Sequence, residues 1–313
     1  MGRFLQTVVN GIINGSLIAL LTLGFGLIVG TTGRFHWAMS MSLMYGGLVT
    51  SLVSVAGMSG ALFPVAVIVG LAAAALLGVG IEVLAYKPLV SRAVGPSFLA
   101  VFLTSLGIAI IGENVARMLV GSAGNNIEVG AQNQTVSVGS VSLSSFEAYF
   151  VLIVWVVVVL VWLVLNRTGW GRLIRAVRVN PLMSRVVGIS PEGVYVAVFA
   201  LGSLLAGVVG ILSGIRVAVL PDMGTIPMFY AFVAAFVAGT QSGVFRFAVA
   251  GLLVGLVQSV STTWIAVNWA PVVVFAILFF YVALRPVIES WRRSWRHRRY
   301  AAGLGNKTMA PEA

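Results

Sequence analysis

The sequence predicts an all-α protein, a polytopic transmembrane helical bundle of about eight or nine spans. Hydrophobic residues make up 59% of the 313 residues, charged residues make up only 9%, and the mean hydropathy is +1.05. A soluble globular domain is about a quarter charged, so the chain falls outside that class. Several apolar runs reach the roughly 20 residues that a helix needs to cross about 30 Å of hydrocarbon. The sequence lacks the ~10-residue alternating segments of a membrane β-barrel, which favours helices.

The predicted spans follow the apolar runs in chain order. They cover residues 7–30, 36–56, 61–85, 97–119, 146–165, 194–214, 226–242, 246–265 and 270–285. The second and seventh are poor uniform membrane helices, because one is rich in Met, Ser and Gly and the other is short and ends in a polar turn. Interrupted helices at matching places in the halves of a transporter often line the substrate path. Gly and Ser also permit close helix packing, so both interpretations stay open.

The basic residues concentrate in three regions, which predicts the orientation in the membrane. Lys and Arg cluster near 87–92, in the loop 166–193 and in the tail 291–313, whereas the loop 120–146 contains none. Even numbers of spans separate the three basic regions, so all lie on one side, the cytoplasm. Residues 1–290 then form the membrane domain, with 120–146 outside and the tail inside. Nine spans place the N-terminus outside and eight place it inside. The basic residues on the cytoplasmic side account for the net charge of +11, so nucleic-acid binding is not expected.

The cytoplasmic loop contains the stretch RAVRVNPLMSRVVGIS, residues 175–190, which predicts a short isolated helix. Asn180 offers a side-chain oxygen as N-cap, and Pro181 suits the first helical position. Gly188 supplies a left-handed stop about two turns later. The pattern therefore predicts a helix over about 181–187 that projects into the cytoplasm and docks on a partner.

An amphipathic helix is predicted directly before it. One face carries Trp170, Leu173, Ile174 and Val177, and the basic side chains at other angles are Arg172, Arg175 and Arg178. Such a helix lies at a membrane interface with its basic groups toward water or lipid phosphate.

Polar side chains inside the predicted spans are candidates for a transport pathway. Glu113 and Arg117 stand four residues apart and are expected to pair along one helix. The pathway candidates are Asn14, Ser16, His36, Met39, Met41, Thr104, Ser105 and Gln241, and Gln258 and Ser259 are further polar residues in a span. Each of these either lines a pathway or forms interhelical hydrogen bonds.

No catalytic constellation is visible in the sequence. There is no cysteine, His36 and His297 are the only histidines, and no HExxH pattern occurs. The stretch GLGNKT at 303–308 lacks the Gly-Lys pair of a phosphate-binding loop. The chain is therefore not expected to be an enzyme, to hold a metal or cofactor, or to hydrolyse ATP itself.

Six segments together resemble the permease subunits of branched-chain amino acid ATP-binding-cassette importers. They are NGIINGSLIALLTLGFGLIVG (10–30), EVLAYKPL (82–89), LTSLGIAII (103–111), RAVRVNPLMSRVVGIS (175–190), FVAAFVAGTQSG (232–243) and AGLLVGL (250–256). The likeness runs over about residues 8–285. The basic loop is the most specific of these segments, and their common order strengthens the resemblance.

The resemblance implies a permease of the bacterial or archaeal cell membrane with a cytoplasmic C-terminus. It implies separate ATPase subunits that bind ATP and Mg²⁺, a second similar permease subunit or a second copy, an extracytoplasmic solute-binding protein, and contact with membrane lipid. A cytoplasmic coupling helix would transmit ATP-driven closure. The coupling positions of the family motif are occupied by Arg175, Asn180, Pro181 and Gly188.

Two departures from the family pattern leave the substrate open. The run His36–Met41 replaces an Asn-Phe-Ala-His-Gly-acidic run, and Ala238–Ser242 replaces a Gly-Gly-x-Gly-Ser turn. Branched-chain amino acids are the first expectation, with urea, amides or another small solute as alternatives. A stand-alone secondary transporter or channel is a further alternative, although such proteins use intramembrane Asp, Glu or His relays.

Overall fold

In the computed structural model the protein is nearly all helical. The structure describes residues 2–56, 59–92, 98–129, 135–138, 141–266, 269–277, 279–281 and 283. Within these ranges the helices are α1 (Gly2–Thr32), α2 (Met39–Val55), α3 (Phe63–Gly80), α4 (Lys87–Arg92), α5 (Phe98–Val120), α6 (Ser145–Arg167), α7 (Gly169–Val179), α8 (Pro181–Val186), α9 (Pro191–Arg216), α10 (Thr225–Ala238), α11 (Val244–Ser261) and α12 (Ala270–Tyr281, residue 278 excepted). A 3₁₀ turn, Gly60–Leu62, precedes α3, and a π-helical turn, Ile81–Tyr86, joins α3 to α4.

Among the described residues, six helical segments are long and apolar enough to cross a membrane. They are Phe4–Thr32, Gly60–Ser91, Phe98–Val120, Ser145–Arg167, Pro191–Arg216 and Val244–Ser261. Helices α2, α10 and α12 are apolar but shorter. With 17 and 14 residues, α2 and α10 are about 26 and 21 Å long, less than the ~30 Å of a hydrocarbon core. The prediction of a helical membrane bundle is confirmed, and the two short helices match the two spans that the sequence marks as poor.

A small β-hairpin is the one departure from an all-α chain within the described residues. Strands β1 (Thr135–Val138) and β2 (Val141–Ser144) pair antiparallel inside the loop predicted at 120–146. An isolated bridge between Asn125 and Val219 ties the same loop to the segment that follows α9. The tail 291–313 lies outside the described residues.

Helix α1 is the buried centre of the bundle and packs against α6, α9, α10 and α11. Its contact with α11 is made backbone to backbone, because a Cβ atom added to Gly255 would overlap the Cα of Gly15. A Cβ atom on Gly251 would likewise overlap Ala19. Small residues at such crossings let membrane helices approach closely enough for dispersion contacts to hold them together.

Helix α1 runs antiparallel to α9 and α11 and parallel to α6, and the bundle has two distinct ends. Gly24 of α1 meets Gly202 of α9 in the middle of the bundle. At one end, called the α8 end, the last turn of α1 lies beside α7 and the turn 239–243. At the other, called the hairpin end, the bundle holds the C-terminus of α9, the N-terminus of α6 and the hairpin, beside Asn14 of α1.

Candidate functional site: polar clusters at the two ends

Helix α8 is built as the sequence predicts. The Asn180 side chain accepts a hydrogen bond from the Met183 N–H at 3.0 Å, and Pro181 occupies the first turn. Gly188 has a φ of +83°, the left-handed conformation that ends the helix. The predicted short helix is therefore confirmed.

The surface of α8 is apolar and exposed. The side chains concerned, between 64 and 81% exposed, are Leu182, Met183, Val186 and Val187. On the apolar face predicted for the preceding helix α7, Ile174 and Val177 are buried, whereas Trp170 is exposed. A cluster of exposed apolar side chains on a short projecting helix is typical of a protein-docking surface.

Arg178, the last basic residue of α7, holds the turn 239–243. Its Nη2 donates to the Thr240 carbonyl at 2.6 Å, its Nε donates to Gln241 Oε1 at 2.8 Å, and its Nη1 donates to the Ser242 carbonyl at 3.3 Å. The expectation that this arginine faces water or lipid phosphate is wrong. The turn between α10 and α11 leaves carbonyls without helical partners, and the guanidinium satisfies them. Burial lowers the pKa of Arg178 below its usual value.

Two further ion pairs lie at the α8 end. Arg34, just after α1, pairs with Glu82 of the π-helical turn, whose side chain is only 3% exposed. The guanidinium of Arg34 also lies 5.1 Å from the centre of the Tyr195 ring in α9. Arg185 of α8 pairs with Glu192 in the first turn of α9. Together with the contacts of Arg178 in α7, these pairs involve the segment after α1, the π-helical turn, α8, α9 and the turn 239–243.

The hairpin end contains a cavity of about 240 Å³ between α1, α9, α10 and α11. Its polar lining consists of Asn14, Ser213, Arg216, Tyr230 and Gln258, and its apolar lining of Leu17, Ile18, Val209, Val217 and Pro227. By contrast, the cavity bordered by Phe63, Val129 and Tyr149 has walls that are almost wholly apolar. Converging polar groups on an apolar wall are typical of small-molecule sites.

Arg216, the last residue of α9, is the charged side chain of this lining. Its Nε donates to Glu147 Oε1 at 3.0 Å, and its Nη1 donates to Asn14 Oδ1. Asn14 also donates weakly to the Ser259 hydroxyl at 3.5 Å. Glu147 is itself held at the N-terminus of α6 by a capping box with Ser144. The cluster thus joins α1, α6 and α9 at the mouth of the cavity.

Of the eight pathway candidates, Asn14 lines this cavity. Ser16, two residues later, points toward α6 and accepts a hydrogen bond from the Trp155 indole N–H at 3.3 Å. That contact is an interhelical hydrogen bond.

The other six candidates lie elsewhere. His36 is buried with its Nδ1 3.0 Å from the Tyr86 hydroxyl. Ser105 accepts from the Ala38 N–H at 2.9 Å, and Thr104 is half-buried beside it on α5. The remaining three are Met39, packed on Gly24, Met41, packed on Gly112, and Gln241, bound by Arg178. These six do not share a cavity with Asn14.

Sequence reasoning missed the Arg216–Glu147 pair and the Arg34–Glu82 pair. The sequence contains two signals for the Arg216–Glu147 pair. The spacing Ser144-x-x-Glu147 is a capping-box pattern, and Arg216 ends a span on the side where the charge distribution makes arginine rare. The predicted pair of Glu113 and Arg117 is present along α5, with a separation of 2.5 Å. Within the described ranges, no three His, Asp or Glu side chains cluster so that they could hold a metal ion.

Several apolar helices of membrane length, with polar clusters at both ends of the bundle, are typical of a multi-pass membrane protein. The chain belongs to the family described as branched-chain amino acid transport system / permease component, whose model matches residues 7–282. It is thus a transport component, as the sequence predicts.

Curated relatives agree with this family. The chain is 27% identical to the high-affinity branched-chain amino acid transport system permease protein LivH of Escherichia coli K12, over 90% of this chain and 94% of the relative. It is 25% identical to the corresponding permease protein BraD of Pseudomonas aeruginosa, over 91% and 94%. It is also 29% identical to the fructose import permease protein FruF of Bifidobacterium longum, over 79% and 64%. No solved structure matches the chain significantly.

Proposed function

We propose that the protein is the membrane-spanning subunit of an ATP-binding-cassette importer for a small polar solute, with branched-chain amino acids as the first candidates. The family and its relatives support the transported class, and the fructose relative supports the alternative of other small solutes, among them urea and amides. Separate ATPase subunits would bind and hydrolyse ATP with Mg²⁺, since the chain has no phosphate-binding motif of its own.

The exposed apolar surface of α8 is the observation that carries this proposal. Its apolar side chains are exposed to water. A partner that covers them would remove apolar surface from water and so stabilise the assembly. Helix α8 is capped at both ends and therefore persists as a rigid unit on its loop. We assign it as the coupling helix, with Arg175, Asn180, Pro181 and Gly188 shaping the loop around it.

Arg178 provides a route from α8 to the rest of the bundle. Its three hydrogen bonds connect the end of α7 to the turn 239–243, and this turn leads into α10 and α11. A displacement of α8 would therefore pull on the two helices that contribute Tyr230 and Gln258 to the cavity at the hairpin end.

The charge distribution supports nine membrane crossings with the N-terminus outside and the C-terminus in the cytoplasm. At the α8 end lie the basic residues Arg34, Lys87, Arg167, Arg172, Arg175, Arg178, Arg185 and Arg246. The opposite end holds Arg3 near the start of α1, together with Arg117 and Arg216, which are each paired with a glutamate. By the positive-inside rule the α8 end faces the cytoplasm, and α2 and α10 are short crossings.

The family supports the proposal of further partners. A solute-binding protein would dock on the hairpin end. A second permease subunit, related or identical, would complete the pathway in a bacterial or archaeal cell membrane, and lipid would cover the apolar outer faces.

Reconstitution tests the proposal. The chain, co-expressed with its partners, should co-purify with an ATPase subunit and catalyse solute uptake that requires ATP. Uptake by the chain alone in ATP-free liposomes would instead establish a stand-alone transporter or channel.

A further inference from the structure

We propose that the cavity at the hairpin end is a solute-binding site for a carboxylate, and that Arg216 is the side chain that binds it. This inference rests on the proposed transport function and narrows the solute to one that carries a carboxylate group. It distinguishes such solutes from the neutral ones, urea, amides and sugars, that the family resemblance leaves open.

The guanidinium of Arg216 is oriented but not saturated. Nε is held by Glu147 and Nη1 by Asn14, whereas Nη2 has no hydrogen-bond partner among the described residues. Arginine has five N–H donors in a planar fork, and at least two remain free here. Because Nε and Nη1 are both held, the guanidinium plane is fixed and Nη2 is left to donate to a carboxylate.

Glu147 orients Arg216 without occupying the cavity. One oxygen of Glu147 accepts from Arg216 and the other accepts from the Ser144 N–H at 3.3 Å, so both are engaged. Glu147 does not belong to the cavity lining, and that lining includes no acidic residue. A solute in the cavity therefore meets the Arg216 guanidinium with no acidic side chain in the cavity wall.

The rest of the lining suits a small amphipathic solute. The Ser213 hydroxyl, the Tyr230 hydroxyl and the Gln258 amide offer further hydrogen-bonding groups beside Arg216. The apolar side chains Leu17, Ile18 and Val209 can cover an aliphatic group. At about 240 Å³, the cavity is smaller than the roughly 300–1,000 Å³ of sites for drug-sized ligands, which restricts it to metabolite-sized solutes.

Arg117, the other ion-paired arginine at the hairpin end, forms a pair with a structural role only. Arg117 pairs with Glu113 along a single helix, is more exposed than Arg216, and lines neither of the two cavities described above. Arg117→Gln is therefore a matched control, since it removes an outer ion pair without touching the cavity.

Ligand binding to the purified permease–ATPase complex tests the assignment, with the solute-binding protein left out so that its specificity does not intervene. The probes are L-leucine, 4-methylpentanoate, L-leucinamide and urea at millimolar concentrations, measured by calorimetry and thermal shift. We expect the two carboxylates to bind and the two neutral or cationic probes not to bind. Arg216→Gln should raise the Kd for L-leucine at least tenfold, and Arg117→Gln should leave it unchanged.

Two more variants keep the test decisive if Arg216→Gln does not assemble. Arg216→Lys keeps the charge but loses the planar fork, and Gln258→Leu leaves the Arg216–Glu147 pair intact. Each should weaken L-leucine binding at least threefold while the ATPase still co-purifies. Equal binding of L-leucinamide and L-leucine, unchanged binding in the Arg216 variants, or no carboxylate binding to the wild-type complex would overturn the site. Failure of the wild-type chain to associate with an ATPase would instead overturn the proposed function.

Discussion

Arg178 is the side chain that connects α7, and through it α8, to the turn 239–243. Replacing it with Gln removes the cation that satisfies the Thr240 and Ser242 carbonyls. Each buried acceptor left without a donor costs about 1–3 kcal/mol, which corresponds to roughly a tenfold effect or more on a coupled step. We expect Arg178→Gln to keep its ATPase subunit but to lose about 90% of ATP-driven uptake in proteoliposomes.

Arg172→Gln is the matched control, because Arg172 lies on the same helix and is exposed. Its uptake should stay near that of the wild type. Wild-type uptake in Arg178→Gln, or an equal loss in both variants, would contradict the role given to Arg178.

At the scale of single residues, the sequence predicts those structural roles that depend on residues close by in the chain. The roles of Asn180, Pro181 and Gly188 in α8 are predictable because a cap, a first-turn proline and a left-handed stop are local properties. The partners of Arg178 and Arg216 were not predicted, because they lie 62 and 202 residues away in the chain. Such pairs depend on helix packing, which the residue pattern alone does not specify.

Helix α8 is the element on which the coupling proposal depends. In the double variant Pro181→Ala, Gly188→Ala, the second change puts a side chain at a φ of +83°, which costs an L-residue roughly 1–2 kcal/mol. The end of the helix should loosen, so less ATPase should co-purify while membrane insertion is unchanged. The measurement is the ATPase-to-permease ratio after affinity purification.

The control for this variant is Pro64→Ala, Gly121→Ala at the opposite end. Pro64 also lies in the first turn of its helix, and Gly121 also has a positive φ, of +79°. This control should retain the full ATPase complement. An unchanged ratio in the α8 variant would count against its assignment as the coupling helix.

The crossing of α1 and α11 gives a prediction about stability. A Cβ atom at position 255 would overlap the α1 backbone at Gly15, whereas Gly107 of α5 has no atom within 4 Å of such a Cβ. Overpacking of this kind costs about 1–3 kcal/mol. Gly255→Ala should therefore lower the thermal unfolding midpoint in mild detergent, and Gly107→Ala should not. A midpoint that is equal in both variants would show that α1 and α11 are not packed this closely.

The whole molecule is predicted to cross the membrane nine times, with α8 and the C-terminus of α9 on opposite sides. Val187 follows α8 and Val217 follows α9, and the two side chains are about equally exposed, at 73 and 74%. Since the chain has no cysteine, Val187→Cys and Val217→Cys each carry a single thiol. In intact cells a membrane-impermeant maleimide should label the thiol at 217 only, and the thiol at 187 should react after permeabilisation. Labelling of both thiols in intact cells would exclude this topology.

The helical architecture could be predicted from the sequence to a large extent. Continuous apolar runs specify the long helices, and the two segments poor in uniform hydrophobicity correspond to α2 and α10. The hairpin of β1 and β2 was not predicted, although both strands alternate polar and apolar residues and Gly-Ser separates them in the sequence, because these strands are short and lie in a polar loop. The cavity was not predicted either, since its lining comes from four helices far apart in the chain.

Contact between α8 and an ATPase subunit is the central claim, and cross-linking tests it most directly. In the assembled transporter in native membranes, Met183→Cys should form a covalent adduct with the ATPase subunit through a short thiol–amine cross-linker. Val217→Cys, at the opposite end, should form none. The expected result is an adduct from position 183 alone. No adduct from position 183, in a complex that transports solute with ATP, would contradict the assignment of α8 as the coupling helix.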